Sequence, residues 1–123
     1  MKILELNHVA LHVTDVERSS RFYREVLRLE PMPRPTFSFP GAWFRLGRGQ
    51  ELHLIGQREE PVFSHNRGNH WALRVDSLDE WEVHFREIGV ESLPRRRRPD
   101  GAWQIYVTDP DGHVIELFTP PKG

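Results

Sequence analysis

Four side chains that can bind a metal ion fall at matching places in the two halves of this 123-residue chain. His8 lies in the segment NHVALHV and His70 in NHWALRV, while His53 lies in ELHLI and Glu116 in VIELF. Imidazole nitrogens and a carboxylate oxygen are ligands for Zn, Ni, Co, Fe or Mn. We therefore predict one divalent-metal site with these four protein ligands, in which an octahedral shell leaves about two positions for water or substrate.

An internal repeat supports this grouping, because equivalent positions of a duplicated unit can converge about its pseudo-twofold axis. The histidine segments begin at residues 7 and 69, and each is followed by the pattern of a helix-capping box, at Thr14–Glu17 and Ser77–Glu80. The tripeptide Gly-Ala-Trp begins at residues 41 and 101 and opens a strand, turn and strand in each half. A longer second turn is predicted to shift the repeat from an offset of about 60 to about 63 residues.

The order of elements predicts an α+β fold made of two tandem βαβββ modules, whose strands form a curved mixed sheet around a metal-binding cavity. Module 1 covers about residues 1–60 and module 2 about residues 66–123. Both belong to a single domain, because a half of about 60 residues would be marginally stable alone. Gly89 is suited to end the second helix, and Pro31–Pro40 is read as a loop that enters a short or edge strand.

Alternation along the strands assigns faces to the polar residues. His8 shares a face with His12, and His70 shares one with Arg74, while apolar residues fill the opposite faces. The alanine between each pair leaves room, so these faces are predicted to line a cavity. His12 and Arg74 either contact the substrate or remain solvated at the rim. Two further candidates for the cavity lining, or for the core, are Trp43 and Trp103.

Composition limits the other function classes. The 17 basic and 18 acidic residues give a formal net charge of -1, so no overall field recruits nucleic acid or an anionic membrane. The absence of cysteine excludes disulfide and thiolate chemistry. We expect a cytoplasmic protein, because the start lacks a signal-peptide pattern and no long apolar run occurs. The run Arg95–Arg98 is read as a solvated turn in preference to a carboxylate or phosphate site.

Taken in order, NHVALHV, FYREVL, ELHLI, NHWALRV and DPDGHVIELF resemble the vicinal oxygen chelate superfamily, which includes glyoxalase I, bleomycin-resistance proteins and extradiol dioxygenases. The resemblance covers essentially the whole chain and implies one domain over residues 1–123 and a homodimer. It places the family's metal ligands at His8, His70 and Glu116. His53 takes the remaining ligand position, where glyoxalase I commonly has glutamate. Arg28 stands where the family often has glycine.

The resemblance implies a glyoxalase-like lyase or isomerase, similar to lactoylglutathione lyase, that acts on a small substrate through two adjacent oxygens. Coordination would polarise a carbonyl and stabilise an enediolate, with Glu116 as the catalytic base. An extradiol-type dioxygenase and a non-catalytic drug-binding protein remain alternatives. The site forms either within one chain or across a dimer, where His8 and His53 of one chain would meet His70 and Glu116 of the other. His12 stands where glyoxalase I tends to have an arginine associated with glutathione binding.

Overall fold

The chain forms two compact units that contain the same order of elements. A computed structural model describes residues 1–122. The first unit, Met1–Glu60, contains β1 (His8–His12), α1 (Val16–Arg21), a π-helical segment (Phe22–Val26), β2 (Glu30–Met32), β3 (Gly41–Leu46) and β4 (Gln50–Ile55). The second unit begins at Pro61 and contains β5 (Trp71–Arg74), α2 (Leu78–Ile88), β6 (Arg96–Arg97), β7 (Trp103–Thr108) and β8 (Val114–Thr119). The predicted α+β fold of two βαβββ modules is confirmed.

Each unit has a four-stranded mixed sheet of its own. The strand order is β1-β4-β3-β2 in the first sheet and β5-β8-β7-β6 in the second. In both sheets the first strand pairs in parallel with the last, and the remaining pairs are antiparallel. The matching topology confirms the duplication that the sequence indicated. In the first unit the proline-rich loop follows the edge strand β2 and does not precede it.

The helix starts differ between the units. Ser77 caps α2 as predicted, because its hydroxyl accepts a hydrogen bond from the Glu80 N–H at 3.3 Å. The capping box predicted at Thr14–Glu17 is wrong, since Asp15 is the cap and its carboxylate accepts from the Arg18 N–H at 3.1 Å. A carboxylate one residue later thus replaces the hydroxyl.

The end of the first helix forces a non-glycine residue into the left-handed region. The Leu27 N–H donates to the Phe22 carbonyl at 3.3 Å, which makes a π turn, and the Leu29 N–H reaches back to the Tyr23 carbonyl at 2.9 Å. Between these two bonds Arg28 has φ 55°. Glycine, which the family resemblance places at this position, adopts this backbone angle without a Cβ clash. In α2 the predicted cap, Gly89, takes the equivalent role at φ 72°.

Strand register corrects the predicted alignment of the two hairpins. Trp43 pairs with His53 in the first unit, and Tyr106 pairs with Glu116 in the second. The offset is therefore 63 residues on both strands of the hairpin, from 43 to 106 and from 53 to 116. The second turn is longer, with residues 109–113 between its strands against residues 47–49 in the first unit. It does not cause the shift, because the offset is already 63 on β7, before the turn. Tyr106, and not Trp103, is the structural counterpart of Trp43.

The core of each unit lies on one face of its sheet, as the alternation predicted. In the first unit Leu52 and Leu54 are fully buried, together with Leu11 on the apolar face of β1 and Val13 directly after this strand. In the second unit the buried apolar residues of β7, β8 and α2 include Ile105, Val107, Ile115, Leu117 and Phe85. The alternate residues of the same strands point to the opposite face, which carries the predicted ligands. No helix within residues 1–122 is long and apolar enough to cross a membrane.

We predict that Arg28→Gly increases the free energy of unfolding by about 1 kcal/mol, because glycine removes the left-handed strain. The matched control is Arg24→Gly inside the π-helical segment, which should lower it by about 1 kcal/mol because glycine disfavours a helix interior. Urea denaturation of both variants measures the two changes. A loss of stability in Arg28→Gly would mean that the arginine side chain contributes more than its backbone angle costs.

Candidate functional site

The second unit brings His70 and Glu116 into direct contact. His70 immediately precedes β5, and Glu116 lies on β8 opposite Ala72. The His70 Nε2 atom is 3.1 Å from Glu116 Oε1, while Glu116 Oε2 accepts a hydrogen bond from Gln104 Nε2 at 3.0 Å. Glu116 is only 5% exposed, so both oxygens of a buried carboxylate have polar neighbours.

The hydrogen bonds of His70 determine which ring nitrogen carries the lone pair. Its Nδ1 atom lies 3.2 Å from the backbone carbonyls of both His65 and Gly68. Carbonyl oxygens only accept, so Nδ1 carries the hydrogen, and in the neutral ring the lone pair is on Nε2. That lone pair faces the Glu116 carboxylate. The arrangement is favourable when the ring is protonated or when a cation binds both atoms, and it is the pattern found for histidines that ligate metals.

Tyr106 completes this cluster. Its ring meets His70 edge to face at a centroid distance of 5.6 Å, and its hydroxyl hydrogen-bonds to Glu116. Burial raises the pKa of Tyr106, and the Glu116 carboxylate adds to the increase, so the phenol keeps its proton. Neither Tyr106 nor Gln104 was predicted from the sequence. An offset of 63 applied to the β7 strand would have placed Tyr106 beside Glu116.

The first unit stacks His53 between two other rings. His8 from β1 lies 4.3 Å from His53, and Trp43 from β3 lies 3.9 Å from it with the ring planes 4° apart. These strands are the two neighbours of β4, which carries His53. The His8 Nδ1 atom is 2.8 Å from the side-chain oxygen of Asn7, so the neutral His8 ring, like His70, has its lone pair on Nε2.

Glu51 is a further polar neighbour in the first unit and was not predicted from the sequence. Its Oε1 atom accepts a hydrogen bond from His53 Nε2 at 2.8 Å. A neutral His53 ring therefore has its lone pair on Nδ1. Carboxylates commonly orient metal-binding histidines in this way, which assigns Glu51 a positioning contact to His53. Its position two residues before His53 on the same strand face was the available sequence signal.

The structure thus places the four predicted ligands in two pairs, one in each unit. Within each unit, over residues 1–122, no group of three or more histidine and acidic side chains is arranged to hold a metal ion. The set of four ligands accordingly stays a prediction.

The remaining predicted contact residues have different surroundings. The His12 Nε2 atom donates to the Gly56 carbonyl at 2.9 Å, and His12 lines a cavity of about 270 Å³ together with Gln57, Glu59 and Glu60. Trp103 lies near the edge of its sheet, 37% exposed, with the guanidinium groups of Arg95 and Arg97 about 6 Å from its ring.

Cross-strand register places two arginines on the face that carries Glu116. One row across the second sheet contains Arg74, Phe118, Gln104 and Arg96, directly beside the row of Ala72, Glu116 and Tyr106. Residues of one row point to the same face. Arg74 and Arg96 form no ion pair within the described residues, whereas Arg98 pairs with Asp100 at 2.5 Å.

Arg95 differs from its neighbours in the arginine run. It forms ion pairs with Asp79, at 2.6 Å, and with Glu82, both on α2. The predicted solvated turn is wrong for most of the run, because Arg96 and Arg97 form strand β6 and Arg95 attaches the run to α2. Arg96 lies on the face that carries Glu116.

Comparisons with known proteins agree with this fold. Residues 5–117 match the family model for the Glyoxalase/Bleomycin resistance protein/Dioxygenase superfamily. The fosfomycin resistance protein FosX from Listeria monocytogenes is 31% identical over 118 residues, which cover 91% of this chain and 86% of that protein.

Two solved structures extend the comparison. A glyoxalase family protein from Bacillus anthracis has a TM-score of 0.84 and 29% identity, with 98% of each chain covered. A mutant FosX from Listeria monocytogenes in complex with Mn(II) and 1S,2S-dihydroxypropylphosphonic acid has a TM-score of 0.79 and 24% identity, covering 97% of this chain and 94% of that one.

We predict that Asp100 titrates well below an ordinary aspartate. The hydrogen bond from Arg98, followed by that from the Ala102 N–H, lowers its pKa from 3.8 to about 2. The folded-state pKa lies below the unfolded value, so the contribution to stability is present above pH 3.8 and is lost as the pH falls through about 2. A carboxyl NMR titration measures this pKa. Arg98→Gln should return it towards 3.8, and an unchanged pKa would contradict the assigned cause.

Proposed function

This chain belongs to the Glyoxalase/Bleomycin resistance protein/Dioxygenase superfamily, and on that premise we propose that it is a divalent-metal-dependent enzyme. Its substrate is a small molecule that chelates the metal through two adjacent oxygens. The observation that carries the proposal is the lone pair of His70 Nε2 facing the buried Glu116 carboxylate at 3.1 Å. Two ligands bound at right angles about 2.1 Å from one metal ion lie about 3 Å apart, so this spacing fits a shared ion.

We propose His8, His53, His70 and Glu116 as the ligands of one Zn, Ni, Co, Fe or Mn ion. His8 and His70 have the same hydrogen-bond arrangement, with Nδ1 donating and Nε2 left for coordination. His53 has its lone pair on Nδ1 while Glu51 holds Nε2. Three imidazoles and one carboxylate form a donor set suited to these metals.

The proposed chemistry is a glyoxalase-like lyase or isomerase reaction. A bound divalent ion would polarise a substrate carbonyl and stabilise the negative charge that develops on its oxygen. Glu116 would accept the proton from the neighbouring carbon after one oxygen leaves the ion, or through a bound water, because a coordinated carboxylate is a poor proton acceptor. It would then return the proton to the substrate, and the hydrogen bond from Gln104 fixes the orientation of its carboxylate. Tyr106 remains a neutral phenol because its pKa is raised, so it keeps the hydroxyl proton that it shares with Glu116.

A second candidate reaction is the modification of a small phosphonate. It is favoured by Arg74 and Arg96, whose guanidinium groups share the face of Glu116 without ion pairs in the described part of the chain. Guanidinium forks match phosphonate and carboxylate oxygens. FosX, the relative named for fosfomycin resistance, has a solved structure that holds a phosphonate with two adjacent hydroxyls. A dioxygenase of the extradiol type would use three protein ligands and leave His53 without a role.

We predict that tag-free protein reconstituted with each of the five metals binds about one ion per site, measured by mass spectrometry. His8→Ala, His70→Ala and Glu116→Ala should lose the ion because each removes a ligand. Gln104→Leu should weaken binding about 10- to 100-fold because it releases the Glu116 carboxylate. His84→Ala on α2, which removes a histidine outside the proposed ligand set, is the matched control and should bind like wild type.

Wild-type protein that stays empty with all five metals would contradict the enzyme proposal and favour a drug-binding protein.

If wild type binds metal, mixing His8→Ala with Glu116→Ala locates the site. Recovery of metal in the mixed sample shows sites shared by two chains, because an intact first unit can meet an intact second unit only across a dimer. No recovery shows sites within one chain. Assays with glutathione hemithioacetals, catechols and fosfomycin on the metal-loaded protein separate the three reactions.

We predict that Arg74→Gln and Arg96→Gln each weaken the binding of methylphosphonate to metal-loaded protein about tenfold, because each removes a charge-assisted hydrogen bond. Isothermal titration calorimetry measures the affinity, and Arg86→Gln on the exposed side of α2 serves as the control. Equal affinity in all four proteins would show that neither arginine contacts the anion.

A further inference from the structure

The first unit carries a row of exposed aromatic side chains that continues from His53. Phe37 lies 6.2 Å from Trp43, which stacks on His53, and Phe37 stacks on Phe39 at 5.1 Å. Phe37 is 42% exposed and Phe39 is 39% exposed. We call Phe37, Phe39 and Trp43 the aromatic wall. It places a single ring, that of Trp43, between the exposed phenylalanines and a proposed metal ligand.

Arg34 holds the two phenylalanines in place. Its guanidinium carbon lies 4.7 Å from the centre of the Phe37 ring and 5.1 Å from that of Phe39, and its NH2 group donates to the Phe39 carbonyl at 2.9 Å. Cation–π contacts of this kind are attractive. The Arg34 Nε atom is buried without a hydrogen-bond partner among the described residues. This arrangement therefore leaves one buried polar atom of the loop unpaired, which costs free energy.

Gly41 makes the arrangement possible. A Cβ atom at this position would lie 2.8 Å from Arg34 Nε and 2.5 Å from the Leu54 carbonyl oxygen, both too close. Gly41 is two residues before Trp43 on β3, so the space that it leaves is on the same face as Trp43 and His53. The guanidinium group occupies this space, and the aromatic wall is formed before any ligand arrives.

We propose that the aromatic wall binds a planar apolar group of the substrate, of the aryl class, next to the two oxygens that chelate the metal. The inference rests on the proposed function for the position of those oxygens. Exposed rings fixed in advance beside a polar site provide stacking area at small entropic cost. Trp43, which is part of the wall, stacks on the proposed ligand His53. A group bound on the wall therefore lies next to the proposed metal site, so we assign the wall to the substrate and not to a separate partner.

The test compares phenylglyoxylate with pyruvate, which have the same adjacent oxygens but differ in an aryl or a methyl group. Quenching of tryptophan fluorescence measures both affinities in metal-free and metal-loaded protein, and Trp43→Phe identifies the responding tryptophan. Wild type should bind phenylglyoxylate about tenfold more tightly than pyruvate. The double variant Phe37→Ala/Phe39→Ala should lose most of this preference and keep its affinity for pyruvate. Phe63→Ala, which removes another exposed ring, should leave the preference unchanged.

Three outcomes would overturn the inference. The first is that wild type shows no preference for phenylglyoxylate, including no detectable binding of it at millimolar concentration. The second is that the double variant loses affinity for both ligands equally, which indicates a general defect. The third is that the double variant changes its oligomeric state in light scattering, which assigns the wall to contact between copies. A preference that persists in protein unable to bind metal would support the aryl subsite while the proposed metal chemistry fails, so the two failures are distinguishable.

Discussion

The charge of one buried carboxylate constrains the second unit. Glu116 is 5% exposed, and a carboxylate at this depth needs partners for both oxygens. Gln104 donates to one oxygen, Tyr106 adds a hydroxyl, and His70 presents a ring nitrogen to the other. The carbonyls of His65 and Gly68 hold the Nδ1 hydrogen of His70, which turns its Nε2 towards the carboxylate.

The segment that precedes β5 is hydrogen-bonded to β8, the strand that carries Glu116. The Ser64 hydroxyl donates to the Asn69 carbonyl at 2.6 Å and accepts from the Val114 N–H at 2.9 Å. Asp109 holds the turn before β8 by accepting backbone N–H bonds from Asp111, Gly112 and His113. These local bonds fix both sides of the His70–Glu116 pair, because one orders the approach to β5 and the other the start of β8.

The two units surround equivalent predicted ligands with different kinds of side chain. Equivalent register positions carry Trp43 beside His53 in one unit and Tyr106 beside Glu116 in the other. A neutral imidazole can be enclosed by stacked rings, since it needs little compensating charge, and the first unit uses aromatic neighbours. The carboxylate requires donors, and the second unit supplies an amide and a phenol. The aromatic wall adds further rings next to those around His53, whereas Arg74 and Arg96 add further hydrogen-bond donors on the face that carries Glu116.

The sequence alone determined the duplication, the α+β class, the strand faces and the Ser77 and Gly89 caps, because periodicity and capping depend on neighbours within a few residues. The Asp15 cap and the contact of Glu51 with His53 are local, and the sequence pattern left the cap open because threonine and aspartate both cap helices. Only the tertiary structure decided that Tyr106 corresponds to Trp43 and that Gln104 contacts Glu116. These facts depend on cross-strand register. The repeated Gly-Ala-Trp tripeptide predicted an alignment of the two hairpins that differs from the observed one by three residues. Hydrogen-bond partners distant in sequence, such as Gln104 for Glu116, exist only after the strands have paired.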